Sequence, residues 1–533
     1  MTCGGCASHI ETNLKKLKGI EYCSVDYPSA SGDIVFDKSA LTEAEIIDVI
    51  NQIGRYKVVE QDKKYDYDLI IIGGGSAAFS AAIKAESLGL STLMVNGGLD
   101  FGGTCVNVGC VPSKHLIRAG EAAYHATHSN FKAVQPKGAT VDFQQLIRDK
   151  SALVATLQQK KYLEVVEDFQ HLTMLKGWAT FVDEDTIEVD GKTKYKAAKF
   201  LIATGSTTNI PDIPGLKDVG FLTNVTLFDM EEKPESLTIM GAGYIGLEMA
   251  QAYHRLGVKV RIIEFTDRPL RTQTSDITDV LVRQFEKEGI ELRPNYRAVR
   301  FEKNGQDIII HCRKPDGEII QMSEKGHLLV ATGTKPNTSA LGLENTTLDL
   351  TASGHIIVND RMATNCSNIY AAGDVTNTPA YVYTAAAEGN AAIVNAFTND
   401  EKKINYDALP WVVFTDPQIA GAGIDETMAT KLGIPFEISK IELRDIPRAI
   451  AANDTRGFIK LIRNPDTDQL LGARIVAPEG GELIQQLSMA IQYGITVNDL
   501  AERFYPYLTL SEAIKLAAIT FGKDVGKLSC CAS

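Results

Sequence analysis

Two glycine-rich turns, one beginning at Gly73 and the other at Gly241, constrain the fold of this chain more than any other feature. Each follows a short apolar strand, at residues 69–72 and 237–240, and each opens a predicted helix. Glycine permits the tight turn and leaves room for a pyrophosphate, whose negative charge the helix N-terminus attracts. One such motif is weak evidence, but two in the same strand–turn–helix context predict two dinucleotide-binding units.

The positions expected to face the two dinucleotides are Gly73, Gly75 and Ala78 in the first unit and Gly241, Gly243 and Gly246 in the second. A ribose-binding acid is expected at the end of the next strand. Glu264 meets that expectation, whereas Asn96 departs from it, so we expect the first site to hold its adenosine end by other contacts. Glu264 would repel a 2′-phosphate and favour NADH, whereas Arg268 and Arg271 would attract one and favour NADPH. The sequence leaves this choice open.

Composition excludes several classes of protein. The chain has 533 residues, 67 acidic and 54 basic, and a formal net charge of −13, so it lacks the basic excess of most nucleic-acid-binding proteins. No apolar run reaches the length of about 18 residues that predicts a membrane span, and no signal peptide is recognised. We therefore expect a cytoplasmic protein with no nucleic-acid partner and no membrane insertion.

A pair of cysteines, Cys105 and Cys110, stands just before a predicted helix that carries Pro112 in its first turn and Lys114 beside it. A thiolate at a helix N-terminus next to a lysine is stabilised, which lowers its pKa and makes it a good nucleophile or electron donor. The same spacing also occurs in structural zinc half-sites and in pairs of buried thiols. The two dinucleotide units around the pair favour a redox role.

These features together resemble the flavin-dependent pyridine nucleotide-disulfide oxidoreductases over residues 66–533. Three short segments strengthen the resemblance: Ala203-Thr204-Gly205, Ala331-Thr332-Gly333 and Ala371-Ala372-Gly373-Asp374. The resemblance implies FAD in the first site, where Asp374 bonds the ribityl chain, and NADPH or NADH in the second. The additional cofactor-binding residues that it implies are Gly103, Thr104, Lys114, Thr204, Gly205, Gly333 and Gly373.

The resemblance also assigns catalytic roles. Cys110 is implied to be the thiolate against the flavin and Cys105 the outer exchange thiol. Lys114 paired with Glu248 is implied to sit near the reactive nitrogen of the flavin. Without the resemblance, Glu248 would read as an ordinary solvated carboxylate on a helix.

Both ends of the chain carry a further cysteine pair. Cys3 and Cys6 precede a helical pattern, and residues 1–62 resemble the heavy-metal-associated domain, in which two cysteines on a loop bind a soft ion. We expect the first strand of this ferredoxin-like domain to be missing, because only two residues precede Cys3. Adjacent cysteines bridge only through a strained ring, so Cys530 and Cys531 favour metal transfer over a stable disulfide.

Tyr507 stands where disulfide-reducing members of the family carry a histidine that protonates the leaving thiol. A phenol, with a pKa near 10, shuttles protons poorly at neutral pH. Together with the terminal cysteines, this resembles the members that reduce Hg(II), delivered by small thiols, to Hg(0). Phe221 lies near a position where many of those members carry a second tyrosine, so we expect reliance on Tyr507 alone.

Two alternatives remain at this point. One is an enzyme similar to dihydrolipoamide dehydrogenase or glutathione reductase with an appended metal buffer, and Tyr507 argues against it. The other is a metal-binding protein whose flavin core is a redox gate.

The predicted fold class is α/β with two Rossmann-like domains, an α+β dimerisation domain and the small heavy-metal-associated domain. The predicted bounds are residues 66–222 and 346–405 for the FAD-binding domain and residues 223–345 for the NAD(P)-binding domain. Residues 409–533 are the predicted dimerisation domain, through which, as the resemblance implies, a homodimer forms.

Overall fold

A computed structural model describes residues 4–28, 30–37, 39–54, 56–58 and 64–524 of the chain. The chain separates into two compact units, Met1–Asp66 and Tyr67–Ser533. Among the described residues, no helix is both long enough and apolar enough to cross a lipid bilayer.

The first unit pairs two helices with an antiparallel hairpin. Its elements are α1 (Gly4–Leu14), β1 (Ile20–Asp26), β2 (Ser31–Phe36) and α2 (Glu43–Gln52). Ile10 and Leu14 lie one helical turn apart and are buried against Cys23 and Ile46, as the apolar spacing predicts. Thr42 caps α2 and exchanges hydrogen bonds with Glu45, which fixes the start of that helix.

The second unit begins with a mixed sheet whose strands follow the order Leu172–Lys176, Thr92–Asn96, Tyr67–Ile72, Thr193–Ile202, Thr186–Val189 and Ala179–Asp183, with Ile369–Ala371 beside Thr193–Ile202. Two of its parallel strands, Tyr67–Ile72 and Thr92–Asn96, are mostly buried on both faces, which explains their continuous apolar sequences. The elements of this part, up to the second glycine turn, are β3 (Tyr67–Ile72), α3 (Ser76–Ser87), β4 (Thr92–Asn96), α4 (Gly103–Val108), α5 (Cys110–Thr127), α6 (Phe143–Gln158), a π-helical turn (Gln159–Leu163), α7 (Glu164–Val166), β5 (Leu172–Lys176), β6 (Ala179–Asp183), β7 (Thr186–Val189), β8 (Thr193–Ile202), β9 (Ser206–Thr208), α8 (Leu216–Val219) and α9 (Asn224–Leu227).

A second parallel sheet follows, in the order β12-β11-β10-β16, accompanied by the antiparallel sheet β13-β14-β15. Its elements, and those that return the chain to the first sheet, are β10 (Ser236–Met240), α10 (Tyr244–Arg255), β11 (Lys259–Ile263), α11 (Ser275–Glu288), β12 (Glu291–Arg293), β13 (Arg297–Asn304), β14 (Asp307–Arg313), β15 (Ile319–Glu324), β16 (His327–Val330), β17 (Thr334–Pro336), a 3-10 turn (Leu343–Asn345), β18 (Ile369–Ala371) and α12 (Val382–Phe397).

The C-terminal part is a five-stranded antiparallel sheet in the order β19-β20-β23-β22-β21, covered by helices. Its elements are β19 (Trp411–Val413), β20 (Gln418–Gly423), α13 (Glu426–Leu432), β21 (Glu437–Glu442), a 3-10 turn (Leu443–Asp445), α14 (Pro447–Ala451), β22 (Phe458–Arg463), β23 (Leu470–Ala477), α15 (Gly480–Gln492), α16 (Val497–Glu502) and α17 (Glu512–Ile519). The α/β fold class with two Rossmann-like units and an α+β C-terminal part is thereby confirmed.

Candidate active site

The first glycine turn contains two kinds of glycine. Gly73 has φ +129°, and a Cβ there would lie 2.2 Å from the carbonyl oxygen of Ala203, so the sheet itself requires glycine. Gly75 has an extended backbone, and the nearest atom to a Cβ would be the Gly103 Cα at 3.8 Å. No described protein neighbour excludes a side chain at Gly75, so the space beside it fits a ligand. Ala78 is fully buried behind the turn.

The second turn repeats this division. A Cβ at Gly241 would lie 2.4 Å from the Ala331 carbonyl oxygen, and one at Gly246 would lie 2.1 Å from the Gly241 carbonyl oxygen. Gly243 has φ −76° and no described atom within 4 Å of a Cβ. Both turns therefore offer a glycine edge on which a pyrophosphate can rest, as a dinucleotide requires.

The residues at the two strand ends face different surroundings. Asn96 lies under the first turn and donates its side-chain Nδ2 hydrogen to the Leu99 carbonyl oxygen at 2.8 Å. Glu264 accepts hydrogen bonds from the backbone N–H groups of Ala242 and Thr266, at 2.7 Å each, and it is 6% exposed. The Glu264 carboxylate is thus directed into the protein, which weakens its repulsion of a 2′-phosphate.

Trp178, which the sequence analysis did not identify, is a candidate residue beside the first site. Its indole is 62% exposed, and a Cβ on Gly97 would lie 2.7 Å from its Cδ2 atom. Gly97 directly follows Asn96, so this exposed ring stands beside the strand end where the adenosine is expected. Nothing in the sequence distinguished Trp178 from an ordinary core tryptophan.

Arginines gather beyond the end of β11. Arg268 and Arg271 line one surface depression together with Arg297, which comes from β13 and was not identified from the sequence. Arg268 donates to Asp267 at 3.2 Å and to the Arg271 carbonyl oxygen at 3.3 Å. The depression is strongly basic and suits an anionic group.

The Gly373-Asp374 turn is held by a buried carboxylate. Glu388, which is fully buried, accepts a hydrogen bond from the Gly373 N–H at 2.7 Å and another from the Tyr406 hydroxyl at 2.7 Å. Ser206 donates to Asp374 at 3.1 Å, and burial raises the pKa of Asp374. Asp374 is therefore fixed in place to accept a hydrogen bond from a ligand.

The two Ala-Thr-Gly segments each follow a strand of a parallel sheet, β8 or β16, and each leads into a short strand, β9 or β17, that pairs with the other. Thr204 donates its hydroxyl to the Asn337 carbonyl oxygen at 2.9 Å, and Asn337 donates its N–H to the Gly205 carbonyl oxygen at 2.9 Å. Gly205 and Gly333 both have positive φ, at +67° and +93°. These backbone conformations by themselves account for glycine at both positions, so a ligand role for either residue stays a prediction.

The sequence analysis expected the cysteine pair to precede a single helix, but the structure places the two cysteines on two helices. Cys105 lies inside the short helix α4, and Cys110 opens α5, with Gly109 between them at φ −134° and ψ −112°. The helix breaks at Gly109 because this residue takes a conformation outside the helical region. The two cysteines therefore lie on opposite sides of one break between two helices. Both thiols are free in the structure, with Cys105 half-buried and Cys110 exposed.

The two thiols differ in acidity. A hydrogen bond from Cys105 is the main cause that lowers the pKa of Cys110 to about 7. Burial opposes this decrease, and the positive charge of Lys114 adds to it. The same hydrogen bond, together with burial, raises the pKa of Cys105. Near neutral pH the pair therefore holds its negative charge on Cys110, which is the thiolate that the resemblance implies.

Lys114 is fixed by two neighbours. Its Nζ lies 2.8 Å from Glu248 Oε2 and 4.4 Å from the centre of the Phe414 ring. Glu248 is 5% exposed and accepts the Phe414 N–H at 2.9 Å through its other oxygen. The interpretation of Glu248 as a solvated carboxylate is therefore wrong, because the ion pair buries it.

A tyrosine near the cysteine pair is present, but it is not at the position expected. Phe221 packs on an apolar cluster that includes Val219 and Met240. Tyr162 instead lies near the pair: burial raises its pKa, and negative charge on Cys105 and Cys110 adds to the increase. The Tyr162 hydroxyl lies 3.2 Å from Ser76 Oγ. Tyr162 is thus a further candidate near the pair, and the expectation that Tyr507 acts without a second tyrosine stays a prediction.

The remaining predicted metal and transfer residues are spread over the chain. Cys6 lies in α1 and is half-buried, and Tyr507, which is 56% exposed, lies in the turn between α16 and α17. Thr104 is exposed beside Cys105 in α4. Cys3, Cys530 and Cys531 lie outside the described residues.

Comparison with known proteins gives three family matches. Residues 67–389 match the pyridine nucleotide-disulphide oxidoreductase family, residues 409–518 match its dimerisation domain, and residues 1–55 match the heavy-metal-associated domain. Among solved structures, the HOCl-induced flavoprotein disulfide reductase RclA from Escherichia coli superposes with a TM-score of 0.76 and 26% identity, covering 86% of this chain and 100% of that one. LpdA from Mycobacterium tuberculosis superposes with a TM-score of 0.75 and 27% identity over 85% of this chain and 100% of that one.

Three curated relatives carry the name mercuric reductase. The mercuric reductase of Bacillus cereus is 38% identical over 100% of this chain and 86% of its own length, and that of Staphylococcus aureus is 37% identical over 100% and 98%. The mercuric reductase of Streptomyces lividans is 42% identical over 87% of this chain and 98% of its own length. The chain therefore belongs to the pyridine nucleotide-disulphide oxidoreductase family and, within it, to the mercuric reductases.

Proposed function

We propose that this protein reduces Hg(II) to Hg(0) with NADPH, through FAD and the Cys105/Cys110 pair, as a cytoplasmic detoxification enzyme. The observation that carries the proposal is a cysteine pair with its charge on Cys110, in a chain that matches mercuric reductases along its entire length. A reducing cytoplasm keeps such thiols free to bind a soft ion.

The protein residues are suited to hold both cofactors. Bound FAD, reduced by NADPH, supplies the two electrons that the reaction requires. The first glycine turn, Asp374 and Trp178 would hold the flavin nucleotide, within a domain of residues 66–222 and 346–405. The second turn, in residues 223–345, would hold NADPH, and the inward-facing Glu264 carboxylate beside three arginines favours NADPH over NADH.

Lys114 and Glu248 would set the charge next to the reacting thiol. The Lys114 ammonium lies between a carboxylate and an aromatic ring, and its positive charge stabilises the Cys110 thiolate. Cys105 retains its proton until a metal replaces it. A metal arriving at the pair would therefore bind Cys110 first and displace the Cys105 proton second.

Metal delivery would proceed by thiol exchange. Hg(II) bound by small thiols would pass to Cys3 and Cys6, then to Cys530 and Cys531, and then to Cys105 and Cys110. Each transfer exchanges one thiolate for another at the metal, and soft ligands favour every step. The side chains of Tyr162 and Tyr507 are proposed to lie near the bound ion without donating a proton.

We further propose a homodimer formed through residues 409–533, in which the tail of one subunit serves the Cys105/Cys110 pair of the other. Subunit mixing tests this arrangement. Mixed dimers of Cys105→Ala chains with Cys530→Ala/Cys531→Ala chains should regain about half of the wild-type activity per dimer, since one complete site is restored. Inactive mixed dimers, from parents that are each folded and flavin-loaded, would reject delivery between subunits.

A disulfide substrate is the second candidate, because the RclA structure, described as a flavoprotein disulfide reductase, matches 86% of this chain. Anaerobic NADPH oxidation, measured with excess small thiol, separates the two candidates. We expect continuous turnover with Hg(II) and little turnover with oxidised glutathione or lipoamide. Turnover with a disulfide and inhibition by Hg(II) would establish the second candidate instead.

A further inference from the structure

The depression beyond β11 is lined by residues from two separate segments of the second dinucleotide unit. These residues are Phe265, Thr266, Asp267, Arg268 and Arg271, together with Arg297. Arg297 is the first residue of β13, which belongs to the antiparallel β13-β14-β15 sheet and not to the sheet of the glycine turn. The motif that predicts a dinucleotide site therefore gives no information about this arginine.

Backbone hydrogen bonds hold Arg297 at the depression. The Asn295 N–H donates to the Thr266 carbonyl oxygen at 2.7 Å, and the Tyr296 N–H donates to the Glu264 carbonyl oxygen at 2.9 Å. These bonds tie the turn before β13 to the segment that follows β11. The Arg297 guanidinium also lies 5.1 Å from the centre of the Phe265 ring, so its side chain is positioned and not merely nearby.

The charges around the depression match a phosphate monoester. Three guanidinium groups face one carboxylate, that of Asp267, which already pairs with Arg268 at 3.2 Å. Glu264, which directly follows β11, directs both carboxylate oxygens at backbone N–H groups. The remaining positive charge is suited to a dianion, which arginine binds with paired hydrogen bonds.

An unsatisfied donor also indicates an absent acceptor. The Arg268 Nε atom is buried and has no hydrogen-bond partner among the described residues. A buried N–H of this kind is costly unless an acceptor reaches it. A bound phosphate oxygen would supply that acceptor once the Arg268 side chain turns toward the depression.

We propose that Arg297 is a specificity-determining residue that binds the 2′-phosphate of NADPH together with Arg268 and Arg271. This rests on the proposed use of NADPH and extends it to a residue outside the glycine-turn sheet. A hydrogen bond to a charged group contributes about 1.5–3 kcal/mol, so losing it should weaken binding of the 2′-phosphate about 10- to 100-fold. Binding of a nucleotide without that phosphate should not change.

The test compares Arg297→Met with Arg300→Met in FAD-loaded protein. Arg300 lies on the same strand, is exposed and pairs with Glu302 at 2.7 Å, so it is a matched loss of charge outside the depression. Calorimetric titrations with 2′,5′-ADP and with 5′-AMP, at low and moderate salt, measure binding without turnover. We expect Arg297→Met to weaken 2′,5′-ADP at least about 10-fold and to leave 5′-AMP unchanged, and Arg300→Met to change neither.

Arg297→Lys guards against a folding artefact, because it keeps the charge and removes the paired donor geometry. Its affinity for 2′,5′-ADP should fall between those of wild type and Arg297→Met. If wild type prefers 2′,5′-ADP and Arg297→Met binds it as Arg300→Met does, the role of Arg297 is rejected while NADPH use stands. If wild type shows no preference for 2′,5′-ADP, NADPH use and the role of Arg297 are rejected together.

Discussion

The two glycine turns solve the same problem with the same backbone, yet they differ where each nucleotide would end. In both turns, one glycine leaves no room for a side chain, because a Cβ would lie 2.2 Å from a backbone carbonyl oxygen at Gly73 and 2.4 Å from one at Gly241. Another glycine in each turn borders open space. Beyond the strand, the first site presents Asn96 and an exposed tryptophan, whereas the second presents a buried carboxylate and three arginines. We therefore propose that the turn provides for binding of a dinucleotide and that residues from other segments select which dinucleotide binds.

The redox pair marks a second difference. A Cβ on Gly103 would lie 2.6 Å from the Gly75 Cα, so the helix that carries Cys105 packs directly on the first turn. The second turn has Tyr244 at the start of α10 in its place, with its phenol half-exposed and its pKa raised to about 12 by burial. These differences support the proposal that the chemistry takes place at the first site and that the second supplies the reducing equivalents.

The largest expected effect comes from adding one methyl group to each open glycine. Gly75→Ala should weaken FAD about 100-fold, and Gly243→Ala should weaken NADPH by a similar factor while the flavin stays bound, since neither backbone is strained. Flavin absorbance and NADPH titration measure the two affinities. Gly522→Ala, which also adds a methyl group to open space, is the control. Equal loss of both cofactors in either variant would contradict two independent sites.

The strand-end carboxylate should matter more for stability than the strand-end amide. Glu264→Ala leaves the Ala242 and Thr266 N–H groups without their acceptor and should cost about 2 kcal/mol, whereas Asn96→Ala removes one hydrogen bond and should cost about 1 kcal/mol. Denaturant midpoints of the FAD-loaded variants give the comparison. A smaller loss for Glu264→Ala than for Asn96→Ala would show that Glu264 does not support the turn.

The acidity of Cys110 offers a pH test of the first site. Because its pKa is lowered to about 7, the thiolate is lost as pH falls through 7, and alkylation of Cys110 by iodoacetamide should slow there about tenfold per unit. Cys105→Ala removes the largest cause of the lowered pKa and should move the midpoint upward. Lys114→Met should move it upward by less. Mass spectrometry of the labelled Cys110 peptide measures the rate, and a midpoint that ignores both changes would reject the hydrogen-bonded pair.

The smallest expected effect concerns Trp178. If its indole packs against the adenosine end of FAD, Trp178→Ala should weaken FAD about 3- to 10-fold, as expected for one lost aromatic contact, and leave NADPH affinity unchanged. Flavin release on dilution provides the measurement. Trp411→Phe, on the C-terminal sheet, controls for the loss of a tryptophan. An unchanged FAD affinity in Trp178→Ala would remove the indole from this site.

The sequence identified those parts of the site that follow from local pattern. The glycine turns and the strand ends lie on elements with a clear motif. The Lys114–Glu248 pair was implied by the family resemblance, and the structure brings the two side chains to 2.8 Å. Tyr162 and Arg297 come from segments without a motif, and only folding brings them to the sites. A single aromatic or basic residue carries no periodic signal, so Tyr162 could not be identified from the pattern, whereas the family resemblance pointed to the position of Phe221.

The most direct test of the central claim is the amount of mercury vapour released per NADPH oxidised. Purified FAD-loaded protein, held anaerobically with excess small thiol and Hg(II), should release one Hg(0) for each NADPH consumed, because both reactions transfer two electrons. A Cys105→Ala/Cys110→Ala variant with its flavin retained should release none. NADPH consumption without mercury vapour, or equal release by that variant, would contradict the account.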